Sequence, residues 1–228
     1  MSDKLWKKIP VLSWIGENVG LILVILKHKF GSDMLPMDER ADPDSAEWKN
    51  NPWHDVFIQR RDTAVIHSEG KIALDLCCGI GWTSSAMAEV ATKVTAVDYS
   101  TDALELAREK YGKPNLEFIQ MDATILSFES ESFDTVVSME AIEHFTFENG
   151  RKLIQEAFRV LKKGGTFVGS TPAVENRNPL KIYSLQLQDP FHLFLYSKSI
   201  LEKSLLEFFP EVEVVSQERD WLLFTCKK

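Results

Sequence analysis

Cysteine is scarce: three in 228 residues, two of them adjacent (Cys77 and Cys78) and one near the end (Cys226). Three thiols cannot build a disulfide framework, and without a C-x-x-C spacing they offer no zinc site, which predicts a reducing compartment and a cytoplasmic location. Basic charge is also short. Lys and Arg number 26 against 34 Asp and Glu, a formal charge of −8. Phosphate binding draws on Lys and Arg, so nucleic acid is disfavoured as a partner. Repeats and low-complexity tracts are missing. At 44% hydrophobic and 26% charged residues the composition excludes a disordered chain, and the length suits one α/β domain.

The most apolar stretch is IPVLSWIGENVGLILVIL, residues 9–26. Read as a helix it has a narrow polar stripe of Ser13, Glu17, Gly20 and Lys27, and Pro10 suits its first turn. Glu17 and Asn18 near the middle make a membrane span costly, and no small-residue cleavage site marks a secretory signal. Two readings stay open: a helix packed on the domain, or an interfacial helix whose lysines make peripheral contact with anionic headgroups. A run rich in Asp, Pro and Ser follows from Gly31 to Pro52, which divides the chain into an apolar helix and linker over 1–52 and a main domain over 53–228. That domain opens with helical periodicity from Trp53 to His67, through Val56, Phe57, Arg60, Ala64 and Val65.

From Lys71 strands and helices alternate. Strands are expected at 71–76, 93–98, 116–122, 133–139 and 166–172, with helices over 84–91, from Ser100 or Asp102 to a stop at Gly112 and Pro114, and over 151–161 to a stop at Gly164-Gly165. A last helix over 197–209 precedes EVEVVS and DWLLFTC, whose short separation predicts an antiparallel pair. Such alternation means a doubly wound, mostly parallel sheet covered on both faces, with ligands past the carboxyl ends of its strands.

The glycine turn CCGIGW ends the first strand, and Gly79 and Gly81 let backbone pass close to a ligand. Asp98 ends the second strand, where a carboxylate accepts from ribose hydroxyls. A dinucleotide site wants a third glycine; Ser84 stands there. NAD and FAD are therefore disfavoured, and a nucleoside without phosphates fits better.

LDLCCGIG, AVDYS, IQMDA, FDTVVSMEAIEHF and VLKKGGTFVGSTP follow one another in the order and spacing of class I S-adenosylmethionine-dependent methyltransferases, a family the chain resembles over about residues 55–228. The resemblance implies a Rossmann-like seven-stranded sheet with an antiparallel last strand. It also implies S-adenosylmethionine as cofactor: Asp75, Gly79 and Gly81 around its methionine portion, Asp98 at the ribose hydroxyls, Asp122 at the adenine amino group and the Ala123 backbone at the ring, with Cys77, Tyr99 and Met139 also among the cofactor-binding residues. The family usually has glycine where Cys77 stands, so that turn position must tolerate a side chain.

E-A-I-E-H places Glu140, Glu143 and His144 past the fourth strand, where an acceptor meets the methyl group. If helical, the three converge on one face, and two carboxylates with an imidazole suit Mg²⁺, Mn²⁺ or Zn²⁺. The motif is similar to that of ubiquinone-biosynthesis O-methyltransferases and small-RNA 2′-O-methyltransferases, which implies a divalent ion on Glu140, Glu143 and His144 with a later histidine; His192 in DPFHLFLYS is placed for it. The alternatives are a metal-free site, with His144 as general base and Glu143 and His192 beside it, or His192 as a packed loop residue among Phe191, Phe194 and Tyr196.

The segment from Ala173 to Leu195, with Tyr183, Phe191 and Phe194, would roof an acceptor pocket. An apolar roof suits a quinone-like phenol or other lipid, while the TP…NP and FH-x-x-x-YS spacing is similar to methyltransferases of glycans and nucleotide sugars. The expectation is methyl transfer to an oxygen, less readily a nitrogen or carbon, of such a small molecule. The competing class is a non-catalytic S-adenosylmethionine-binding protein of the same fold, favoured by Cys77. Nothing in the sequence fixes the oligomeric state.

Overall fold

A computed structural model describes residue 49 and residues 54–174, 182–183, 191–217 and 221–228. The apolar stretch 9–26, its expected membrane contact, the linker apart from residue 49, and the boundary at residue 52 lie outside the described residues. So do 175–181 and 184–190 of the expected roof. Among the described residues no helix is long and apolar enough to cross a membrane.

The expected alternation is present. Helix α1 (His54–Ser68) leads into β1 (Ile72–Leu76), α2 (Trp82–Ala88), β2 (Lys93–Asp98), α3 (Thr101–Tyr111), β3 (Leu116–Gln120), β4 (Phe133–Met139), a 3₁₀ turn (Ile142–His144), α4 (Phe147–Val160), β5 (Leu161–Pro172), α5 (Lys198–Leu206), β6 (Glu211–Gln217) and β7 (Trp221–Lys227). The strands form one sheet in the order β3-β2-β1-β4-β5-β7-β6. Strands β1 to β5 pair in parallel, and β7 runs antiparallel to both β5 and β6. The order reverses between β1 and β4, and such a switch point opens a crevice beyond the strand ends.

Successive side chains of a strand face opposite ways, and the two cores follow that rule. Leu74, Leu76, Val136 and Phe167 pack with Leu153, Ile154 and Ala157 of α4 and Leu201 and Leu205 of α5. Ala73, Ala96, Val137 and Val168 pack on the other face with Ala64 of α1, Met87 of α2, and Leu104 and Ala107 of α3. Small residues dominate that second face, which lets its helices lie close to the sheet.

Serines and a threonine start the helices as capping residues should. Ser100 accepts from the Ala103 N–H, Thr146 from Asn149 and Ser197 from Ile200. The Thr146 cap starts α4 four residues earlier than periodicity alone suggests. Its end differs too: in place of a stop at the paired glycines, the chain turns straight into β5, because Leu161 is fully buried and pairs with Phe133. Register then shifts before Thr135 pairs with Thr166, so Lys162 to Gly165 form an irregularity within the strand. Strand β3 stops at Gln120 rather than Asp122.

Candidate active site

The turn after β1 is built from left-handed backbone. Cys77 (φ 58), Gly79 (φ 54) and Gly81 (φ 81) all take it, a region that costs a side-chain-bearing residue about 1–2 kcal/mol. Cys77 thus occupies a glycine-type conformation, in line with the expectation that the turn tolerates a side chain there. The Asp98 carboxylate holds the turn from β2, one oxygen accepting from the Gly79 N–H at 2.8 Å and the other from Ser100 N–H at 2.9 Å. A carboxylate has about four acceptor positions, so roughly half of its capacity remains.

Ser84 and Asp75 explain the serine in the glycine pattern. Ser84 Oγ donates to Asp75 Oδ2 at 2.6 Å, and both residues are buried. Burial pushes the Asp75 carboxyl up to about 7, against the opposing Ser84 hydrogen bond and with some help from Asp98. Gly81 has a packing role: a Cβ there would lie 2.7 Å from the Phe118 ring.

Beside this turn lies a cavity of about 420 Å³, walled by Phe57, Arg60 and Arg61 of α1, Cys77 to Ile80, Trp82 and Thr83, and on its far side Met139, Glu140, Glu143, His144, His192 and Trp221. Seven residues singled out in the sequence (Cys77, Gly79, Met139, Glu140, Glu143, His144 and His192) therefore line the same cavity. Asp75 and Gly81 are not part of it. Asp98 ends β2 and Tyr99 follows it, while Asp122 and Ala123 lie just past β3; Tyr99 is 75% exposed, and one Asp122 oxygen accepts from Thr124 N–H and Oγ1.

The E-A-I-E-H segment is not an α-helix. Glu140 takes left-handed backbone (φ 50), and a short 3₁₀ turn carries Glu143 and His144. Glu140 accordingly leaves the expected ligand group: its carboxylate accepts from Ser170 Oγ at 2.6 Å and from Trp221 Nε1, and pairs with Arg60. Glu143, His144 and His192 do converge, with one donor atom of each within 4.8 Å of the others. Glu143 is fully buried; Thr171 Oγ1 donates to its Oε2 at 2.9 Å, and Oε1 has no hydrogen-bond partner among the described residues. Burial, then the charge of Glu140, pushes its carboxyl well above the ordinary range.

Main-chain bonds join the two histidine segments. The Glu143 carbonyl accepts from Leu193 N–H at 2.8 Å and Phe194 N–H at 3.1 Å. His144 Nδ1 lies 3.2 Å from the Phe191 carbonyl oxygen, and the two imidazole rings are 5.1 Å apart. A carbonyl only accepts, so Nδ1 carries a proton, and in the neutral ring of the exposed His144 the lone pair is on Nε2.

Arg60 was visible in the sequence only as a member of the buried stripe of α1. It is 2% exposed, with its Nη1 3.1 Å from Glu140 Oε2 and its guanidinium 5.0 Å from the Phe57 ring centre and 4.2 Å from that of Trp221. Burial lowers its pKa while Glu140 and Glu143 act to raise it. An arginine on an apolar helix stripe was the available signal. Trp221, far along the chain, carried none.

A family model described as a methyltransferase domain matches residues 74–169. The demethylmenaquinone methyltransferase of Lactococcus lactis is 32% identical over 181 residues, covering 72% of this chain and 69% of that protein. The phthiotriol/phenolphthiotriol dimycocerosates methyltransferase of Mycobacterium tuberculosis is 27% identical over 58% of this chain, which spans about half (46%) of that protein's length. Among solved structures, YcgJ of Bacillus subtilis superposes with a TM-score of 0.63 at 26% identity, covering 72% of this chain and 71% of that one. Sheet order, glycine turn and relatives agree, and the chain belongs to the class I S-adenosylmethionine-dependent methyltransferases.

Proposed function

We propose that the protein moves a methyl group from S-adenosylmethionine to an oxygen of a small molecule, a quinone-like phenol or a glycan precursor, with His144 as general base. The observation that carries this reading is the contact of His144 Nδ1 with the Phe191 carbonyl, which in the neutral ring leaves Nε2 as the acceptor on a residue lining the cavity.

The residues at the glycine turn suit the cofactor. Asp98 retains acceptor positions for two ribose hydroxyls beyond the two N–H groups it holds, and the backbone at Gly79 has open space above it, with nothing within 4 Å of a notional Cβ. When bound, S-adenosylmethionine supplies a methyl group on a sulfonium, whose departing thioether is neutral and a good leaving group. The protein's share is then alignment and one proton. Holding donor and acceptor in line accounts for most of the acceleration. His144 Nε2 takes the hydroxyl proton as the oxygen bonds to the methyl carbon, and positioned proton transfer of this kind is worth about 10²–10⁴-fold. The Phe191 carbonyl holds the ring so that only Nε2 can do this, and Leu193 and Phe194 tie the two loops together through Glu143.

The relatives act on demethylmenaquinone and on phthiotriol or phenolphthiotriol dimycocerosates, which supports an apolar acceptor. The test is formation of S-adenosylhomocysteine with catechol and 1,4-naphthohydroquinone as probes. His144→Gln should lower turnover by about 10²-fold or more with cofactor affinity nearly unchanged. Unchanged turnover refutes the base. No turnover by the native chain with either probe, alongside normal cofactor binding, favours the non-catalytic reading.

The convergence of Glu143, His144 and His192 favours a second reading, a divalent ion in the same place. Two imidazoles and one carboxylate suit Mn²⁺ or Zn²⁺ better than Mg²⁺, which prefers oxygen. Glu143, His144 and His192 would hold it, and it would supply Lewis acidity that makes an acceptor hydroxyl easier to ionise. Calorimetric titration with Mn²⁺ and Zn²⁺ decides: heat from the native chain that Glu143→Ala abolishes supports the ion, and equal silence from both removes it.

A further inference from the structure

We infer that Arg159 and Glu156 of α4 are positioning residues for the cofactor's base, a role that rests on the methyltransferase reading above. They act through Asp122, expected at the adenine amino group. The other acid at this end of the sheet needs no such help: Asp98 is the last residue of β2 and is paired with Gln120. Strand β3 stops at Gln120, and once the Met121 N–H has reached the Asp98 carbonyl at 3.0 Å the chain leaves the ladder. Asp122 thus stands beyond the sheet, and where it sits depends on how the loop to β4 is held.

Helix α4 holds that loop. Glu156 and Arg159 lie at i and i+3 on one helical face, and their side chains join as a fork: Arg159 Nε donates to Glu156 Oε1 and Nη2 to Oε2, each at 2.8 Å. The pair then reaches the main chain of the loop. Glu156 Oε2 accepts from Leu126 N–H at 2.7 Å, while Arg159 Nη2 donates to the Leu126 carbonyl at 2.8 Å and Nη1 to the Phe128 carbonyl at 2.7 Å. Burial already anchors the side chains of the loop: Ala123 and Leu126 belong to the core, and Phe128 packs edge-on against Phe133. Apolar burial is non-directional, whereas charge-assisted bonds to the backbone fix its direction.

The turn from Asp122 to Ile125 carries that direction to the carboxylate. Ile125 N–H donates to the Asp122 carbonyl at 3.0 Å, and Thr124 N–H and Oγ1 both donate to Asp122 Oδ1, at 2.8 and 2.7 Å. These bonds fix the side chain and leave Oδ2 without a hydrogen bond among the described residues. A carboxylate with one oxygen engaged and the other presented suits a single N–H donor such as an exocyclic amine. Leu126 follows directly on the turn, so a shift of the clamp moves Oδ2, and hydrogen bonds weaken steeply as their geometry departs from ideal.

Two ligands and a double substitution separate this role from mere support. S-adenosylhomocysteine carries the adenine amino group; its analogue with unsubstituted purine as the base lacks that group and keeps the rest. Calorimetry on the full chain should show the native protein preferring the first by about tenfold to a hundredfold, the scale of a hydrogen bond to a charged group. Arg159→Met should cut the preference to about threefold or less by weakening S-adenosylhomocysteine alone. Arg159→Lys, which keeps charge but loses the fork, should fall in between, and it carries the test if the methionine variant does not fold. In a chain already carrying Asp122→Ala, the Arg159 substitutions should change neither affinity. A preference kept by both Arg159 variants overturns the assignment. So does an equal loss of both ligands, or a further loss in the Asp122→Ala background, either of which would make the clamp a prop of the fold. A native chain that binds both ligands equally overturns it as well, because Asp122 then does not read the amino group. Failure of the native chain to bind either ligand is a different result, and refutes the cofactor reading itself.

Discussion

Ser84 Oγ and Asp75 Oδ2 meet at 2.6 Å beneath the glycine turn, both shut off from solvent. The serine replaces a helix-packing glycine and gives the buried carboxyl its hydrogen bond. Because burial raises this carboxyl from 3.8 to about 7, the folded chain keeps a proton there that the unfolded chain has already lost. Asp75 therefore stabilises the fold fully below its unfolded value, and that contribution declines as pH rises through about 7. Asp75→Asn should remove a slope of up to about 1.4 kcal/mol per pH unit in that window. Urea unfolding of both proteins across that range and above it checks this; parallel curves would mean that Asp75 does not titrate there.

Cys77 and Cys78 border the cavity, yet both thiols are pushed well above their ordinary range, by burial first and then by the surrounding carboxylates, Asp75 and Asp98 among them. The thiolate is the nucleophile, so at pH 8 iodoacetamide should label either one at least about tenfold more slowly than a free cysteine peptide. Rapid labelling of the native chain would contradict this, and labelling after unfolding serves as the control.

Gly81 leaves no room for change. A Cβ would press 2.7 Å from Phe118 and 3.1 Å from Ala107, on backbone at φ 81. Gly81→Ala should cost about 2–4 kcal/mol from overpacking and left-handed strain together, read from the denaturation midpoint. A loss within experimental error would mean that α3 and β3 yield easily.

Much of this architecture was legible because its signals are local. Strand β2 is a β-branched run closed by Asp98, α3 has its Ser100 cap and Gly112 stop, and each was readable within a dozen residues. Misreadings arose where tertiary contacts override the local pattern. Lys162 to Gly165 looked like a helix stop, but the pairing of Phe133 with Leu161 draws the chain into β5. At the site, Glu143, His144 and His192 were found by type and spacing and do converge. Glu140 was expected beside them on a helical face, but its left-handed backbone turns it to Ser170, Trp221 and Arg60. No sequence period reports a bond between residues 81 positions apart.

Calorimetric titration of the native chain and of Asp98→Asn with S-adenosylmethionine tests the central claim most directly. Saturable one-site binding by the native chain, weakened about tenfold or more when the carboxylate that spans the glycine turn becomes an amide, is the predicted result. No binding by the native chain, or equal binding by both, would contradict the pocket described here.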